Sequence, residues 1–464
     1  MSLQEWLDGN ASALEVPGVA AGILHDGEAT FAYHGVTSIE NPLPVDENTI
    51  FQYGSTHKTF TATAIMRLVD QGKLSLDDKV RKHVPTLATK DPSVAENITV
   101  LQLLNHTAGW TGDAPEDTGD GDDAREKFVE ALANFEQVTP LGATVSYNNA
   151  AVNVAGHVIE RITGKVYETA MRELIHDPLG LNNTWFFPND VMTRRFAVGH
   201  NQKPDGTITI GRPWALARAG APAGGFGVSA NAGDQIAWAR FHLGDGTAPD
   251  GTRLLSKELL DLMKQPTVEM KGSALGDYVG VSWLMRDVDG VRIVGHGGTT
   301  IGQHSEFTMV PERNFAIVSL TNCGPNGAQL NDQMQRWAFA EFLGITDADP
   351  EPVVLEEAAL SEYLGVYETI AAVAHITAKD GGLVINVEIK PEMRARLEAE
   401  GADPDQPPIP LGLLGGDGDR YIITDGPAKG MKGYFVRGDS GEIAGVHVGG
   451  RLATKVPSKV PAPA

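Results

Sequence analysis

The chain has 464 residues, enough for two or three domains, and its 42% hydrophobic and 21% charged residues give the balance of a globular protein with a sizeable core. Its 37 lysines and arginines against 60 aspartates and glutamates leave a net charge of −23, which argues against nucleic acid or an anionic membrane as partner. No apolar run is long enough for a transmembrane helix, and a single cysteine, Cys323, excludes an internal disulfide framework and a multi-thiolate zinc site.

In chain order, the N-terminus lacks a basic segment, an apolar segment and a cleavage site, so a cytoplasmic location is expected. Residues 3–14 have the spacing of an amphipathic helix. Two β-prone runs around Asp26-Gly27 read as a hairpin. Residues 59–69 carry Ala62, Ile65, Met66 and Val69 at helical spacing and stop before Gly72; residues 150–162 repeat that pattern and stop at Gly164. Residues 113–126 form an acidic, Asp/Gly-rich stretch that reads as a solvated loop. Residues 292–295, 304–310 and 315–320 read as strands, with a turn at 311–314 and a helix at 330–343. Strands at both ends with helices between predict one sheet assembled from distant segments around a helical insertion. Cys323 ends an apolar run and reads as a buried strand-end thiol.

A linker at 347–354 leads to a region of short β-like runs punctuated by glycine, at 363–367, 383–389, 421–424 and 442–448. Residues 355–456 are therefore expected to form a small antiparallel β-barrel, with a loop at 403–410 and a frayed tail at 457–464. The first 346 residues are expected to form the larger domain.

Three short segments carry chemistry. Ser55-Thr-His-Lys58 opens the first strong helix, and residues three apart share a helix face, so Ser55 and Lys58 can meet. Taken alone, Ser55 reads as a helix N-cap. Tyr147-Asn-Asn149 precedes the second strong helix, 92 residues beyond Ser55, where both side chains can project from a loop. Gly295-His-Gly-Gly-Thr-Thr-Ile-Gly302 lies between two strands, and its glycines let backbone approach a ligand closely. Neither an H-E-x-x-H pattern nor a histidine–carboxylate cluster accompanies His106, His296 or His304, so no metal or other cofactor is expected.

Together these segments resemble the β-lactamase-related serine hydrolases, which include class C β-lactamases, D-aminopeptidases, DD-carboxypeptidases and esterases. Ser55-Thr-His-Lys58 matches S-x-x-K, Tyr147-Asn-Asn149 matches Y-x-N, and His296-Gly-Gly298 stands where K-T-G or H-x-G is found. Leu103-Leu-Asn-His-Thr-Ala-Gly109 resembles L-L-x-H-T-S-G, and Ala223-Gly-Gly-Phe-Gly-Val-Ser229 resembles a glycine turn before a mid-domain helix.

The resemblance implies an α/β (α+β) fold, with an antiparallel sheet flanked by helices plus a helical subdomain, followed by a lipocalin-like barrel. It implies Ser55 as nucleophile, Lys58 as base and Tyr147 as the group that shares and relays the proton. Asn149 would orient Lys58 and bind the substrate amide, and the Ser55 and Thr299 N–H groups after Gly298 would form the oxyanion hole. His296 in place of lysine points away from free carboxylates and towards the D-aminopeptidase and esterase branch. The implied partner is a small molecule or short peptide, with the barrel able to shape the site or mediate homo-oligomer assembly. A β-lactamase or DD-carboxypeptidase, an acyltransferase or peptide cyclase, and a silent peptide-binding scaffold are the alternatives.

Overall fold

The structure, a computed structural model, describes residues 1–456 other than 114–116, 204, 216, 217, 219, 220, 380, 406, 417 and 418; the expected tail at 457–464 lies outside the described residues. Helix α1 (Leu3–Ala13) opens with a capping box, in which the Ser2 hydroxyl accepts from the Glu5 N–H and the Glu5 carboxylate from the Ser2 N–H. Strands β1 (Gly18–His25) and β2 (Glu28–Gly35) pair His25 with Glu28 across Asp26-Gly27, both at positive φ (47° and 83°), as a two-residue hairpin requires.

The polypeptide then leaves the sheet. A 3₁₀ turn at Gly54–His57 runs directly into α2 (Lys58–Asp70), which is buried along nearly its whole length. Helix α3 (Asn149–Thr163) is capped by the Asn148 side chain, which accepts from the Ala151 N–H, and ends at Gly164 with φ 69°. Asn149 is thus the first residue of a helix, not a loop residue. The stretch expected as loop at 113–126 gives way to helix at Ala124, one turn sooner than its composition indicates. Helix α4 (Ala232–Leu243) returns the chain to the sheet.

The same sheet also contains β3 (Leu284–Val288), β4 (Val291–Gly295), β5 (His304–Val310) and β6 (Phe315–Thr321), which run with the first two strands in the antiparallel order β2-β1-β6-β5-β4-β3. The β1–β6 ladder runs unbroken from Val19 opposite Thr321 to His25 opposite Phe315. Both strands are buried on both faces, which is why their sequences are continuous apolar runs and not alternations. Helix α5 (Asn326–Ala338) starts four residues before the expected 330 and closes with a π-type turn at Phe339–Leu343. It joins α1 in covering one face around Trp6, Leu7, Ile317, Leu330 and Met334. Cys323 is buried there, its thiol pushed up to about 12 by desolvation, which removes it as a nucleophile.

The C-terminal strands form a closed, fully antiparallel barrel: β7 (Gly365–Glu368), β8 (Ala372–Lys379), β9 (Gly382–Ile389), β10 (Ile409–Leu413), β11 (Arg420–Ile423), β12 (Lys432–Arg437), β13 (Ile443–Val448) and β14 (Arg451–Lys455). Tyr367 opposite Lys455 closes the ring. Tyr363, Tyr367, Tyr421 and Phe435 pack its interior with aliphatic side chains. The buried hydroxyls find carbonyls, Tyr421 donating to His447 O (2.9 Å) and Tyr367 to Tyr363 O (2.7 Å). Strands β8, β10, β12 and β14 complete the expected barrel without having been singled out individually, and the helix at Pro391–Ala399 was not expected; β10 begins inside the expected 403–410 loop, its Pro410 and Gly412 hiding it.

Two compact units emerge, one of Met1–Thr144, Asn148–Val268 and Val279–Asp347, the other of Val145–Tyr147, Glu269–Tyr278 and the chain from Ala348 on. The sequence pattern places 145–147 and 269–278 in the first. The second unit takes them through backbone pairing and packing that composition does not reveal: the Tyr147 N–H donates to Gly450 O (2.9 Å), the Leu452 N–H donates to Ser146 Oγ (3.3 Å), and the Leu275 side chain occupies the space a Cβ on Gly450 would need. No helix among the described residues is long and apolar enough to cross a membrane.

Candidate functional site

Ser55 is not an N-cap. It sits inside the 3₁₀ turn, where no side chain caps the helix, and its Oγ accepts a hydrogen bond from Lys58 Nζ at 2.9 Å. The tighter turn brings positions i and i+3 over one another, so the S-x-x-K spacing closes this contact without help from the rest of the chain. Lys58 is fully buried, and its Nζ also donates to Gly224 O at 2.5 Å. The glycine segment Ala223–Ser229, expected only as a turn, therefore supplies a main-chain acceptor for the lysine.

The end of β4 is fastened to the same turn. Thr56 Oγ1 donates to His296 O (2.8 Å), and Ser305 Oγ donates to Tyr53 O (2.7 Å) while lying 2.8 Å from Thr56 Oγ1. Gly298 is pressed so closely on this backbone that a Cβ there would lie 2.0 Å from Tyr53 O and 2.8 Å from Ser55 N. On the other side, a Cβ on Gly54 would lie 2.8 Å from Thr299 N. The backbones of 53–55 and 298–299 thus run side by side, placing the Ser55 and Thr299 N–H groups in one neighbourhood.

His296 is buried, and its Nδ1 lies 2.7 Å from Gly297 O. A carbonyl only accepts, so Nδ1 carries the proton and Nε2 presents a lone pair. Desolvation first, and the nearby Lys58 cation second, push the imidazole down to about 3. His296 is therefore a neutral group at physiological pH, not a fixed cation.

Asn149 projects from the first turn of α3. Its Nδ2 donates to Asp113 Oδ1 at 2.6 Å, and because a carboxylate only accepts, Asn149 Oδ1 must face the other way. That oxygen is buried without a protein hydrogen-bond partner among the described residues, and it converges with Lys58 Nζ and Asn153 Oδ1 on the space beside Gly224. Asp113 and Asn153 were not singled out in the sequence; Asn153 stands one helical turn beyond Asn149 (i, i+4), a spacing that could have flagged it. The L-L-x-H-T segment also gains a reason: His106 Nδ1 accepts from the Asn148 N–H at 3.1 Å, and the Asn148 side chain donates to Trp110 O at 2.7 Å, which pins the loop entering α3.

Tyr147 belongs to the second unit. Besides the Gly450 bond to its N–H, the Arg451 guanidinium lies 5.0 Å from its ring centroid. Ser55, Lys58, Asn149, His296, Gly298 and Thr299 all belong to the first. Among the described residues no group of three or more His, Cys, Asp or Glu side chains could hold a metal ion.

The Beta-lactamase family model matches residues 4–341. Penicillin-binding protein 4 of Amycolatopsis lactamdurans is 34% identical over 360 residues, covering 75% of this chain and 94% of that protein. A beta-lactamase of Escherichia coli (strain K12) is 26% identical over 347 residues, covering 69% and 88%. A crystal structure of SurE with D-Leu covers 98% of both chains with a TM-score of 0.73 at 23% identity. The octameric penicillin-binding protein homologue from Pyrococcus abyssi covers 94% of this chain and 95% of its own, with a TM-score of 0.64 at 22% identity. With a family model spanning residues 4–341 and a relative 34% identical over 94% of its own length, the chain belongs to the beta-lactamase family of serine hydrolases.

Proposed function

We propose that the protein forms an acyl-enzyme on Ser55 with amide or ester substrates and acts as a peptidase or amidase with esterase activity, peptides containing D-amino acids being favoured. The buried Lys58 donating to Ser55 Oγ carries this reading. Once Lys58 has lost a proton to solvent, the hydrogen bond reverses, Ser55 O–H donates to Nζ, and that proton passes to Nζ as Oγ bonds to the substrate carbonyl carbon. The oxyanion is held by the Ser55 and Thr299 N–H groups, and the bond to the leaving group breaks as that group takes a proton relayed through Tyr147. Water then enters, its oxygen bonds to the acyl carbon as it gives up a proton along the same path, and the Oγ–carbon bond breaks as Oγ takes that proton back, releasing the acid. Asn149 orients Lys58 from the first turn of α3.

The neutral imidazole of His296 supports the choice of substrate. A neutral ring at this position offers no fixed charge to a substrate carboxylate. The likeness to a SurE structure holding D-Leu supports the D-amino-acid preference, and likeness to a homologue described as octameric supports self-assembly. Penicillin binding is the second reading, favoured by the 34% identity to a penicillin-binding protein.

The test is intact-protein mass spectrometry after brief exposure to a D-alanyl amide, its L counterpart, a p-nitrophenyl ester and a penicillin, with Ser55→Ala alongside. The expected result is a Ser55-dependent mass gain from the D-alanyl amide and the ester. A persistent adduct from penicillin alone moves the protein to the second reading; no adduct and no donor consumption removes both. Gly298→Ala is expected to lower kcat/KM for the ester by about 100-fold, because its Cβ, 2.0 Å from Tyr53 O, forces the Thr299 N–H away from Ser55. Steady-state kinetics within about two-fold of the parent would show that this close approach is dispensable.

A further inference from the structure

A chain of buried hydroxyl and imidazole groups starts beside the turn that bears Ser55 and runs onto α2. Tyr53 OH is 2.7 Å from His57 Nδ1, His57 Nε2 is 2.9 Å from Tyr167 OH, Tyr167 OH is 2.7 Å from Thr61 Oγ1, and Thr61 Oγ1 donates to Ala223 O at 2.9 Å. All four side chains are fully buried. Chemistry fixes the direction of nearly every proton. The Ala223 carbonyl only accepts, so the Thr61 hydrogen is spent on it. Thr61 Oγ1 must then accept the Tyr167 O–H, and the Tyr167 oxygen in turn accepts His57 Nε2–H. Desolvation holds the imidazole well below its ordinary range, so Nδ1 is a lone pair and takes the Tyr53 O–H. The chain runs one way, from Tyr53 to the Ala223 carbonyl.

The next peptide unit along, Gly224–Gly225, carries the Gly224 carbonyl, the acceptor for Lys58 Nζ. Beyond it, Gly225 is held at φ 102° with no room for a Cβ, which would lie 2.0 Å from Gly54 O. The segment is thus fastened on one side by Thr61 and pressed on the other against the turn that bears Ser55.

We propose that His57, Tyr167 and Thr61 are positioning residues, whose one-way hydrogen-bond chain fixes the Ala223 carbonyl and with it the adjoining Gly224–Gly225 peptide, so that the Gly224 carbonyl keeps Lys58 Nζ on the Ser55 hydroxyl. None of the three touches the substrate; they act through Gly224 on the base. This rests on the acyl-enzyme reading above and adds to it a second layer of residues under the base.

Thr61→Val keeps the shape of the side chain and deletes the donor to Ala223 O. The rate of Ser55 acylation by a p-nitrophenyl ester, followed by stopped-flow release of nitrophenolate, is expected to fall about 10- to 100-fold. KM is expected to stay within about two-fold, since substrate contacts are untouched. Thr61→Ser, which restores the donor, is expected to recover most of the rate, and Tyr167→Phe, which cuts the preceding link, to fall with Thr61→Val. Thr61→Val acylating at the parent rate overturns the proposal, as does Thr61→Ser being as slow as Thr61→Val, since packing and not the hydrogen bond would then matter. Should Thr61→Val fail to fold, the acylation rate of Tyr167→Phe decides in its place, a parent-like rate overturning the proposal. A parent protein that consumes ester without acylating Ser55 brings down the acyl-enzyme reading, and this proposal with it.

Discussion

Replacing Ser55 by alanine is expected to lower turnover of any acyl donor by about 10⁴-fold or more, and Lys58→Met to do nearly the same. The two effects should not add. Lys58 Nζ reaches Ser55 Oγ at 2.9 Å, so each side chain has its chemical use only through the other, and the double variant should be no slower than Ser55→Ala alone. Both variants remove a part-buried hydrogen bond, and Lys58→Met also strands the Gly224 carbonyl, so a thermal unfolding trace belongs beside each rate. Either single variant working at near the parent rate, or a double variant showing the product of two independent losses, contradicts the assignment of Ser55 and Lys58 as one unit.

A second large effect concerns stability in mild acid. Burial holds the imidazole of His176 down to about 3, that of His296 to about 3 and that of His447 to about 4. Each has a folded-state value below the ordinary 6.5 or so, so the unfolded chain binds protons that the folded chain refuses. Above pH 6.5 these groups are neutral in both states and contribute nothing to the difference. As pH falls below 6.5, stability is lost, and the loss continues down to the folded values. One unit below 6.5, each histidine costs about 1.4 kcal/mol, giving at most about 4 kcal/mol for the three at pH 5.5. His57 and His242 are held low in the same sense, while the buried carboxyls of Asp234 and Glu306, which are raised, act in the opposite one. Denaturant midpoints measured from pH 7.5 to 5.0 should therefore fall steadily, and His447→Gln should flatten the slope. A flat profile for both proteins contradicts the neutral, buried state of these rings.

The catalytic half was legible where chemistry is local. Ser55 and Lys58 are three residues apart, and a helical turn needs nothing else to join them. The β1–β2 hairpin announced itself through Asp-Gly, and the ends of α2 and α3 through Gly72 and Gly164. What the sequence hid is what depends on distant backbone. His57 reads as an incidental neighbour of Lys58, and only the fold places Tyr53, Tyr167 and Thr61 around it. Asp113 sits in a stretch that composition marks as solvated, yet it orients Asn149. Individual barrel strands such as β8 and β10 were hard to single out because closure tolerates Pro410, Gly412 and the weakly apolar Ala372–Lys379, whose partners are set by ring geometry more than by their own propensity.

The hydrogen bond between Leu452 and Ser146 joins groups 306 residues apart in the chain, and that separation imposes an order of events on synthesis. A ribosome adding about 5–20 residues per second needs about 15–60 s to travel that far. Through that interval Ser146 and Tyr147 have been made, but the turn bearing Gly450 does not yet exist. The S-x-x-K turn has all its covalent parts from Lys58 onward, whereas the tyrosine segment acquires its backbone acceptor only as the last barrel strands emerge. Vectorial synthesis thus leaves the Ser146–Tyr147 segment without its Gly450 and Leu452 partners until the hairpin that carries them has been made.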